Sequence, residues 1–404
     1  MFVKKLKPKH ILIFILAITT VLRLFRLDYP NKYVFDEVYH GFTAKEYLKG
    51  NKEAWEWWTK PPPGVAYEWT HPPLAKEIMT ASMFITRSTD AWAWRLPGVL
   101  LGVLSIYLVY LLGLKLLNNQ TASLIAAFAF SIDGLNFVQS RTGMNDVYFV
   151  TFVLASLLFF LKKSFIISTI LLGLAISSKW AALYIFLIYI PILLAEKRVR
   201  VLLYFSTIPV LVYMLTFIPF FLHDHNLNQF VELQQQMWWY HTSLKASHDY
   251  ASPWWSWPLN LYPVWYFVDY SGDKIANIFA SGNPVVFWVG SASILLTLIE
   301  TLKRKSVNLF FILLGFFVFW LPWAASPRIM FLYHFSPSVP FLALSLGYQL
   351  DSWLRDKHRR KLVFVLLSLM LISFLILYPF LTGIPMPKNL LNIFFLTNIT
   401  KNPF

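Results

Sequence analysis

The chain contains no cysteine among its 404 residues. Disulfide bonds, thiolate zinc ligands and a cysteine nucleophile are therefore all excluded. Charged residues are also scarce, at 14% of the chain, whereas a typical soluble domain has about 25%. Hydrophobic residues make up 57% instead. This composition excludes an ordinary soluble protein and indicates a chain that lies largely within a membrane.

Several common motifs are missing as well. The sequence has no P-loop, no glycine-rich dinucleotide turn and no G-x-S-x-G elbow. It also has no H-E-x-x-H or comparable metal-ligand spacing, so it indicates no obligatory cofactor and leaves a divalent metal open without supporting one. Because no repeat or soluble domain boundary is visible, we interpret residues 1–404 as a single integral-membrane domain.

Apolar runs of about 20 residues recur along the chain, and each is long enough to cross a bilayer core of roughly 30 Å. They predict an all-α polytopic fold with about eleven transmembrane helices. The first run is interpreted as a retained helix, because Arg23 and Arg26 follow it without a signal-peptide cleavage site. The predicted spans are 10–27, 94–116, 121–138, 147–161, 164–177, 180–195, 200–222, 284–302, 306–325, 329–350 and 362–381.

The formal net charge of +15 has two interpretations. Nucleic-acid binding is one, but the basic residues gather in short connectors between spans, as the positive-inside rule describes. We therefore expect membrane lipids and no nucleic acid as partners, with a cytoplasmic N-terminus and an extracytoplasmic C-terminus. The densest basic clusters on the predicted inner side lie within 4–9, 197–200, 303–305 and 355–361.

Two predicted outer segments, 28–93 and 223–283, are long and rich in Trp, Tyr, His and Pro. Aromatic rings of this kind favour the headgroup level of a membrane. The aromatic runs at 53–58 and 254–257 are therefore predicted to be amphipathic elements that lie along the membrane surface. The candidate chemistry of the chain is concentrated in and around these two loops.

The first outer loop opens with two adjacent carboxylates, Asp36 and Glu37, followed by His40. If a helix begins here, Asp36 and His40 lie one turn apart on the same face. Such a pair of carboxylates could provide a general base and a neighbour that orients it. The alternative is that both merely stabilise a helix N-terminus electrostatically.

A second motif in this loop runs from His71 through Pro72 and Pro73 to Lys76. A helix can begin at the second proline, which would place Lys76 in its first turn beside free backbone N–H groups. That arrangement is a candidate anion site. A solvated lysine at a helix start is the alternative.

Other candidate residues lie at predicted outer helix ends or in the second outer loop. A charge at membrane depth normally faces a partner or a watery cavity, although an arginine can also reach the lipid phosphates. Several cations that converge with acids around one outer cavity would suit a phosphate ligand. These candidates are Arg95, Arg141, Asp146, Lys179, His241, His248, Arg328, Tyr333 and His334.

Together these motifs resemble the protein O-mannosyltransferase family, which has the glycosyltransferase C-type fold. The resemblance covers nearly the whole chain. It rests on the acidic motif at 35–42, on an H-P-P-L-G-K-like motif at 71–76 with Ala75 in place of Gly, and on Arg95 and the 177–180 element. The segments 240–259 and 328–335 also match, except that Asp249 stands where Pro is usual and Tyr262 where a basic residue is common.

The resemblance implies transfer of mannose, with inversion, from a polyprenyl-phosphate carrier to Ser or Thr of exported proteins. Asp36 would be the catalytic base, and Glu37 would orient the acceptor or Asp36. Lys76, Arg95 and Arg328 would bind the donor phosphate. The site would face outward from the cell membrane, and association with the export machinery is compatible with this function. Residues 223–283 are too few for the soluble domain of larger eukaryotic members, which favours a bacterial member, so the sequon at Asn398 is expected to stay unglycosylated.

Two alternatives remain at this point. A related transferase with a lipid or glycan acceptor would share the acidic loop, but it is expected to carry a further soluble domain after the last span. A secondary transporter would also have many helices, yet transporters place ionisable residues near the membrane midplane. Here these residues gather in the outer loops and at helix ends, which favours an enzyme.

Overall fold

The computed structural model describes residues 7–390, and this part of the chain is mostly helical. The sequon at 398–400 lies outside the described residues. The α-helices are α1 (Pro8–Leu24), α2 (His40–Leu48), α3 (Leu74–Thr86), α4 (Ala91–Leu117), α5 (Gln120–Ser131), α6 (Gly134–Gln139), α7 (Asn145–Leu161), α8 (Phe165–Ser178), α9 (Phe186–Ala195), α10 (Val199–Thr216), α11 (Ile218–Leu222), α12 (Leu227–Ser243), α13 (Pro284–Arg304), α14 (Val307–Trp320), α15 (Val339–Arg355) and α16 (Arg360–Thr382).

The prediction of a purely α-helical fold is wrong in the second long loop. There β1 (Val264–Ser271) and β2 (Lys274–Ala280) form an antiparallel hairpin, and the short β3 (Met386–Pro387), which follows α16, joins it in the order β1-β2-β3. Both long strands are rich in β-branched and aromatic residues, and the turn between them contains Gly272 at a φ of +57°. That composition favours a hairpin.

Short 3-10 helices connect several of these elements. Most of them lie where a proline or a tight turn interrupts regular helix geometry. They are Phe35–Val38, Lys52–Trp55, Trp180–Ile185, Trp254–Leu259, Leu321–Ala325, Leu332–Ser338 and Lys388–Leu390.

Five helices in the described range are long and apolar enough to cross a membrane: Ala91–Leu117, Val199–Thr216, Pro284–Arg304, Val307–Ala325 and Arg360–Thr382. Further predicted spans correspond to shorter apolar helices, among them α5, α7, α8 and α9. The chain is therefore a multi-pass membrane protein. The total of eleven crossings and the orientation of the termini stay predictions.

Prolines account for the main differences between predicted and observed helices. The span predicted at 329–350 begins as the 3-10 helix Leu332–Ser338, and α15 starts only at Val339. Pro337 lies inside that 3-10 segment and has no N–H to donate to a helix. The span predicted at 200–222 is likewise divided at Phe217, just before Pro219.

Helices α5 and α15 pack closely in the helical core. Gly347 of α15 lies against the backbone oxygen of Ala122, and a Cβ at Gly347 would overlap that oxygen. Close approach of the two backbones therefore requires glycine at this position. The first outer loop, the start of α7 and the 3-10 helix before α15 meet beside this core and form a cavity.

Candidate active site

A cavity of about 840 Å³ lies between the first outer loop, the start of α7, α12 and the segment before α15. Ten of the predicted site residues line it. They are Asp36, His40, His71, Asp146, Lys179, His241, His248, Arg328, Tyr333 and His334. Glu37, Lys76, Arg95 and Arg141 are not part of its lining.

Asp36 is half-buried on the 3-10 helix Phe35–Val38 and presents its carboxylate to the cavity. Within residues 7–390 this carboxylate has no hydrogen-bond or ion-pair partner. The preceding Phe35 has a φ of +49°, which is uncommon for a non-glycine residue, and its ring stacks on Tyr266 at 4.2 Å between centroids. Asp36 and His40 both face the cavity, but they do so from two helical segments, because α2 begins only at His40.

Burial, followed by the negative charge of Glu68, raises the pKa of Asp36 to about 7. The cations Lys179 and Arg328 oppose this shift. A general base is most effective when its pKa lies near the operating pH. The environment of Asp36 therefore suits a group that accepts a proton at neutral pH.

Glu37 is fully buried and points away from the cavity, toward Arg95. Arg95 donates to Glu37 through Nε and Nη2, each at 2.7 Å. Trp94 Nε1 and the backbone N–H of Gly143 also donate to Glu37 Oε1, at 3.1 and 2.9 Å. These bonds connect the segment of Asp36 to helix α4 and to the turn before α7.

The remaining N–H groups of Arg95 donate to backbone carbonyls of residues 27, 30 and 32. The phosphate-binding role predicted for Arg95 stays a prediction, and these contacts favour a different role. Arg95 holds the first outer loop and Glu37 in place. No donor of Arg95 is left to reach a ligand in the cavity.

Lys76 and Arg141 are also bound to backbone carbonyls. The fully buried Lys76 Nζ donates to the carbonyl oxygens of Glu68 and His71, each at 2.9 Å. Arg141 donates to four carbonyls of residues 22–26, at the end of α1. As predicted, α3 begins directly after Pro73. Lys76, however, binds carbonyl groups of the segment that precedes α3 and lies outside the cavity lining.

Lys179 and Asp146 form a buried ion pair in the cavity wall, with 2.9 Å between Nζ and Oδ1. Lys179 follows the end of α8, and Asp146 lies in the first turn of α7. The Lys179 ammonium also lies 5.7 Å from the centre of the Tyr333 ring. Because the charges of Lys179 and Asp146 cancel each other, the pair has little net positive charge with which to bind a phosphate.

Arg328 is the better candidate for an anion. It lines the cavity, it forms no ion pair with a carboxylate in the part of the chain that the structure describes, and its Nε has no hydrogen-bond partner there. Its Nη1 donates to His241 Nδ1, while His241 Nε2 donates to the carbonyl of Thr70 at 2.7 Å. Burial and Arg328 lower the pKa of His241 to about 4, so the ring is neutral and can accept this bond.

Glu68 is not among the site residues predicted from the sequence. Its Oε1 accepts hydrogen bonds from the Thr70 hydroxyl at 2.5 Å and from the backbone N–H of His71 at 2.9 Å. His40 Nδ1 lies 3.6 Å from its other oxygen. Glu68 lies directly before the motif at 71–76, and that position was the available signal. Its carboxylate organises the loop opposite Asp36.

Within residues 7–390, no group of three or more His, Cys, Asp and Glu side chains is arranged to hold a metal ion. Within the described residues, the candidate chemistry consists of one carboxylate without a partner, one arginine with an unused donor and several histidines around a cavity. That combination can take a proton from a hydroxyl and stabilise an anionic leaving group.

Comparison with known proteins matches the chain to one family. Residues 13–230 match the family described as dolichyl-phosphate-mannose-protein mannosyltransferase. Residues 226–396 match the C-terminal four TMM region of protein-O-mannosyltransferase. Polyprenol-phosphate-mannose–protein mannosyltransferase of Mycolicibacterium smegmatis is 23% identical over 415 residues, with 80% of each chain covered. The protein of that name from Mycobacterium tuberculosis is 24% identical over 418 residues, covering 80% of this chain and 79% of that one.

Solved structures show the same fold. The Saccharomyces cerevisiae protein O-mannosyltransferase Pmt1-Pmt2 complex bound to the sugar donor superposes with a TM-score of 0.81 at 16% identity, over 98% of this chain and 93% of that chain. ArnT from Cupriavidus metallidurans bound to undecaprenyl phosphate gives 0.61 at 15% identity, over 84% and 60%. Fold and site thus define a membrane-embedded glycosyltransferase. The chain belongs to the protein O-mannosyltransferase family.

Proposed function

We propose that this enzyme transfers mannose from polyprenyl-phosphate mannose to Ser or Thr hydroxyls of exported proteins, with inversion at the anomeric carbon. The observation that carries the proposal is the Asp36 carboxylate, which faces the cavity without a partner in the described part of the chain and whose pKa is raised to about 7. The donor class follows from family membership and from the names of the mycobacterial relatives.

In the proposed step, the acceptor oxygen attacks the anomeric carbon of mannose while the Asp36 carboxylate takes the hydroxyl proton. The bond between that carbon and the phosphate oxygen breaks, and polyprenyl phosphate leaves with the bonding electrons. A single displacement of this kind inverts the anomeric carbon. A serine hydroxyl is a weak nucleophile, so a positioned base is needed as the attack proceeds.

Arg328 would stabilise the negative charge that grows on the leaving phosphate. Its unused Nε and its position in the cavity lining support this role. His241 would position Arg328 relative to the first outer loop, since one imidazole nitrogen accepts from Arg328 and the other donates to the Thr70 carbonyl. A hydrogen-bond donor that is already in position before the reaction stabilises the developing charge without the free-energy cost of reorganisation.

Glu37 and Arg95 would act indirectly. The ion pair between them is buried, and it ties the Asp36 segment to α4. We propose that both are positioning residues for the base. Lys76 would play a similar part for the 68–71 segment, because its ammonium bonds the carbonyls of Glu68 and His71.

The activity can be tested with purified protein in lipid nanodiscs, polyprenyl-phosphate mannose and a panel of peptides rich in Ser and Thr. We expect mannose on hydroxyl side chains, located by mass spectrometry, and an inverted anomeric linkage by NMR. Peptides with Ala at every Ser and Thr position are the matched control. Release of free mannose alone, or transfer to a lipid or glycan in place of the peptide, would contradict the proposed function.

The location of the site is proposed to be the extracytoplasmic face of the cell membrane. The absence of native cysteine makes this testable by single-cysteine labelling in intact cells. The exposed Lys60 lies in the first outer loop and the exposed Lys303 at the end of α13, so Lys60→Cys and Lys303→Cys form a matched pair. A membrane-impermeant maleimide should label Lys60→Cys directly and Lys303→Cys only after permeabilisation; the reverse pattern would overturn the orientation.

A further inference from the structure

Asn145 lies in the wall of the cavity with its amide unused. Its side chain is only 1% exposed, and neither Oδ1 nor Nδ2 has a hydrogen-bond partner. In the described part of the chain it is the one residue with two such buried polar atoms on its side chain. Buried amides in native proteins are nearly always paired, because an unpaired amide reduces stability. An unpaired amide that borders a cavity therefore indicates a polar ligand.

Local structure does not account for this amide. Asparagine often caps a helix, but Asn145 is the first residue of α7 and the N-cap position belongs to Met144. The neighbouring Asp146 forms an ion pair with Lys179 instead of a hydrogen bond with Asn145. Both amide atoms of Asn145 thus have no partner within the described residues, and the residue itself belongs to the cavity lining.

The position of Asn145 is fixed relative to the proposed base. The backbone N–H of Gly143, two residues earlier, donates to Glu37 Oε1 at 2.9 Å, and Glu37 is the neighbour of Asp36 in the chain. Substituting a Cβ at Gly143 would bring it to 3.2 Å from Glu37 Cγ, so the two segments pack directly. A group bound by Asn145 is consequently held at a defined distance from Asp36.

We propose that Asn145 binds the sugar of the lipid-linked donor and helps to select it, through hydrogen bonds to two neighbouring hydroxyls. The amide NH₂ donates to one hydroxyl, and the amide oxygen accepts from the other. Both bonds form only when the two hydroxyls have the right relative orientation on the ring, so an epimer at either carbon loses at least one of them. This inference rests on the proposed function and adds a specificity-determining residue to it.

The nitrogen atoms of two histidines support a polar sugar site. His40 Nδ1 and His71 Nδ1 are also buried without a hydrogen-bond partner in the described range, and both residues line the same cavity. His71 and Asn145 thus contribute buried polar atoms without a partner in the described range, whereas His40 Nδ1 lies 3.6 Å from a Glu68 oxygen. A lipid tail would gain nothing from such groups, whereas a polyhydroxylated ring can bond to each.

The deciding variant is Asn145→Leu, which keeps nearly the same volume and removes both polar atoms. We expect kcat/KM for polyprenyl-phosphate mannose to fall about 10–100-fold, as expected for the loss of one or two hydrogen bonds. The preference for mannose over the glucose donor, measured as the ratio of kcat/KM values, should fall about tenfold. Inhibition by polyprenyl phosphate, which has no sugar, should change less than about twofold.

Stability gives an independent readout. An amide with no partner in the protein is replaced by a hydrocarbon in Asn145→Leu, so the ligand-free variant should unfold at the same or a higher temperature. Asn277→Leu is the matched control. Asn277 is fully buried in β2, has an unpaired Nδ2 and accepts a bond from Trp265, but it does not line the cavity. Asn277→Leu should lower stability and leave the sugar preference unchanged.

Either of two results would overturn the inference: an unchanged sugar preference in Asn145→Leu, or an equal loss of affinity for the sugar-free carrier. If Asn145→Leu does not fold, Asn145→Ser, which retains a single short hydroxyl, must lose part of the preference or the inference fails. Failure of the proposed function looks different. In that case the wild-type enzyme itself transfers no mannose, and both conclusions fall.

Discussion

Neutralising Glu37 should destabilise the enzyme strongly, although Glu37 never reaches the cavity. Its carboxylate is fully buried and accepts bonds from Arg95 at two atoms, from Trp94 Nε1 and from the backbone N–H groups of Val34 and Gly143. In Glu37→Gln one oxygen becomes an NH₂ group that faces other donors. Breaking a buried ion pair by removing one partner costs about 3–5 kcal/mol. We expect Glu37→Gln to lower the free energy of unfolding by about this amount.

The assay is thermal and denaturant unfolding of purified protein in detergent, followed by tryptophan fluorescence. Glu232→Gln is the matched control, because Glu232 is exposed on α12. Glu232→Gln should lower the free energy of unfolding by less than about 0.5 kcal/mol. In Glu37→Gln we also expect a loss of transfer at temperatures where the variant remains folded, since the Asp36 segment loses its connection to α4 and to Gly143.

A double-mutant cycle can refute this reasoning. If the ion pair accounts for the lost stability, the double variant Glu37→Gln/Arg95→Met should lose less unfolding free energy than the two single variants lose in sum. The reason is that no uncompensated charge remains buried in the double variant. The expected coupling is about 1–3 kcal/mol. Additive losses, or a Glu37→Gln variant as stable as Glu232→Gln, would show that the pair does not hold the loop.

Two further predictions concern the cavity. The kcat/KM should rise with pH through about 7 and then level off, because only the ionised Asp36 accepts a proton. Glu68→Gln removes a negative charge that raises this pKa, so it should move the midpoint to lower pH, and an unmoved midpoint would contradict the assignment. Arg328→Ala should weaken binding of polyprenyl phosphate about 10–100-fold in a competition assay, as expected for a lost charged hydrogen bond. Arg328→Lys should recover part of the binding, and unchanged affinity in Arg328→Ala would exclude this phosphate contact.

The helical spans could be predicted from the sequence because long apolar runs are determined by composition alone. The partners of buried cations could not. A lysine or arginine at a helix end has the same appearance in the sequence whether it binds a phosphate, a carboxylate or a carbonyl. The structure separates Arg328, which lines the cavity and whose Nε has no partner in the described range, from Lys76 and Arg95, which bond to groups of the protein outside the cavity lining.

The hairpin β1–β2 and Glu68 were missed for different reasons. The hairpin had a signal, namely two β-favouring runs around Gly272, but only the aromatic run at 254–257 of this loop was given a structural interpretation, as a membrane-surface element. Glu68 had a weak signal, because its role depends on contacts with His40 and Thr70 that only the folded loop creates. Asp36 and His40 could be singled out because they lie four residues apart in the sequence, and both line the cavity; their roles stay predictions.

Asp36 is proposed to be the base that activates the acceptor hydroxyl. The most direct measurement compares wild-type enzyme with Asp36→Asn in single-turnover transfer from polyprenyl-phosphate mannose to a serine peptide, with donor affinity measured separately on the same samples. We predict that Asp36→Asn folds and binds the donor within about threefold of wild type, while the transfer rate falls by at least about 10²-fold, the lower range of general-base effects. A transfer rate in Asp36→Asn that remains close to that of wild type would contradict the claim.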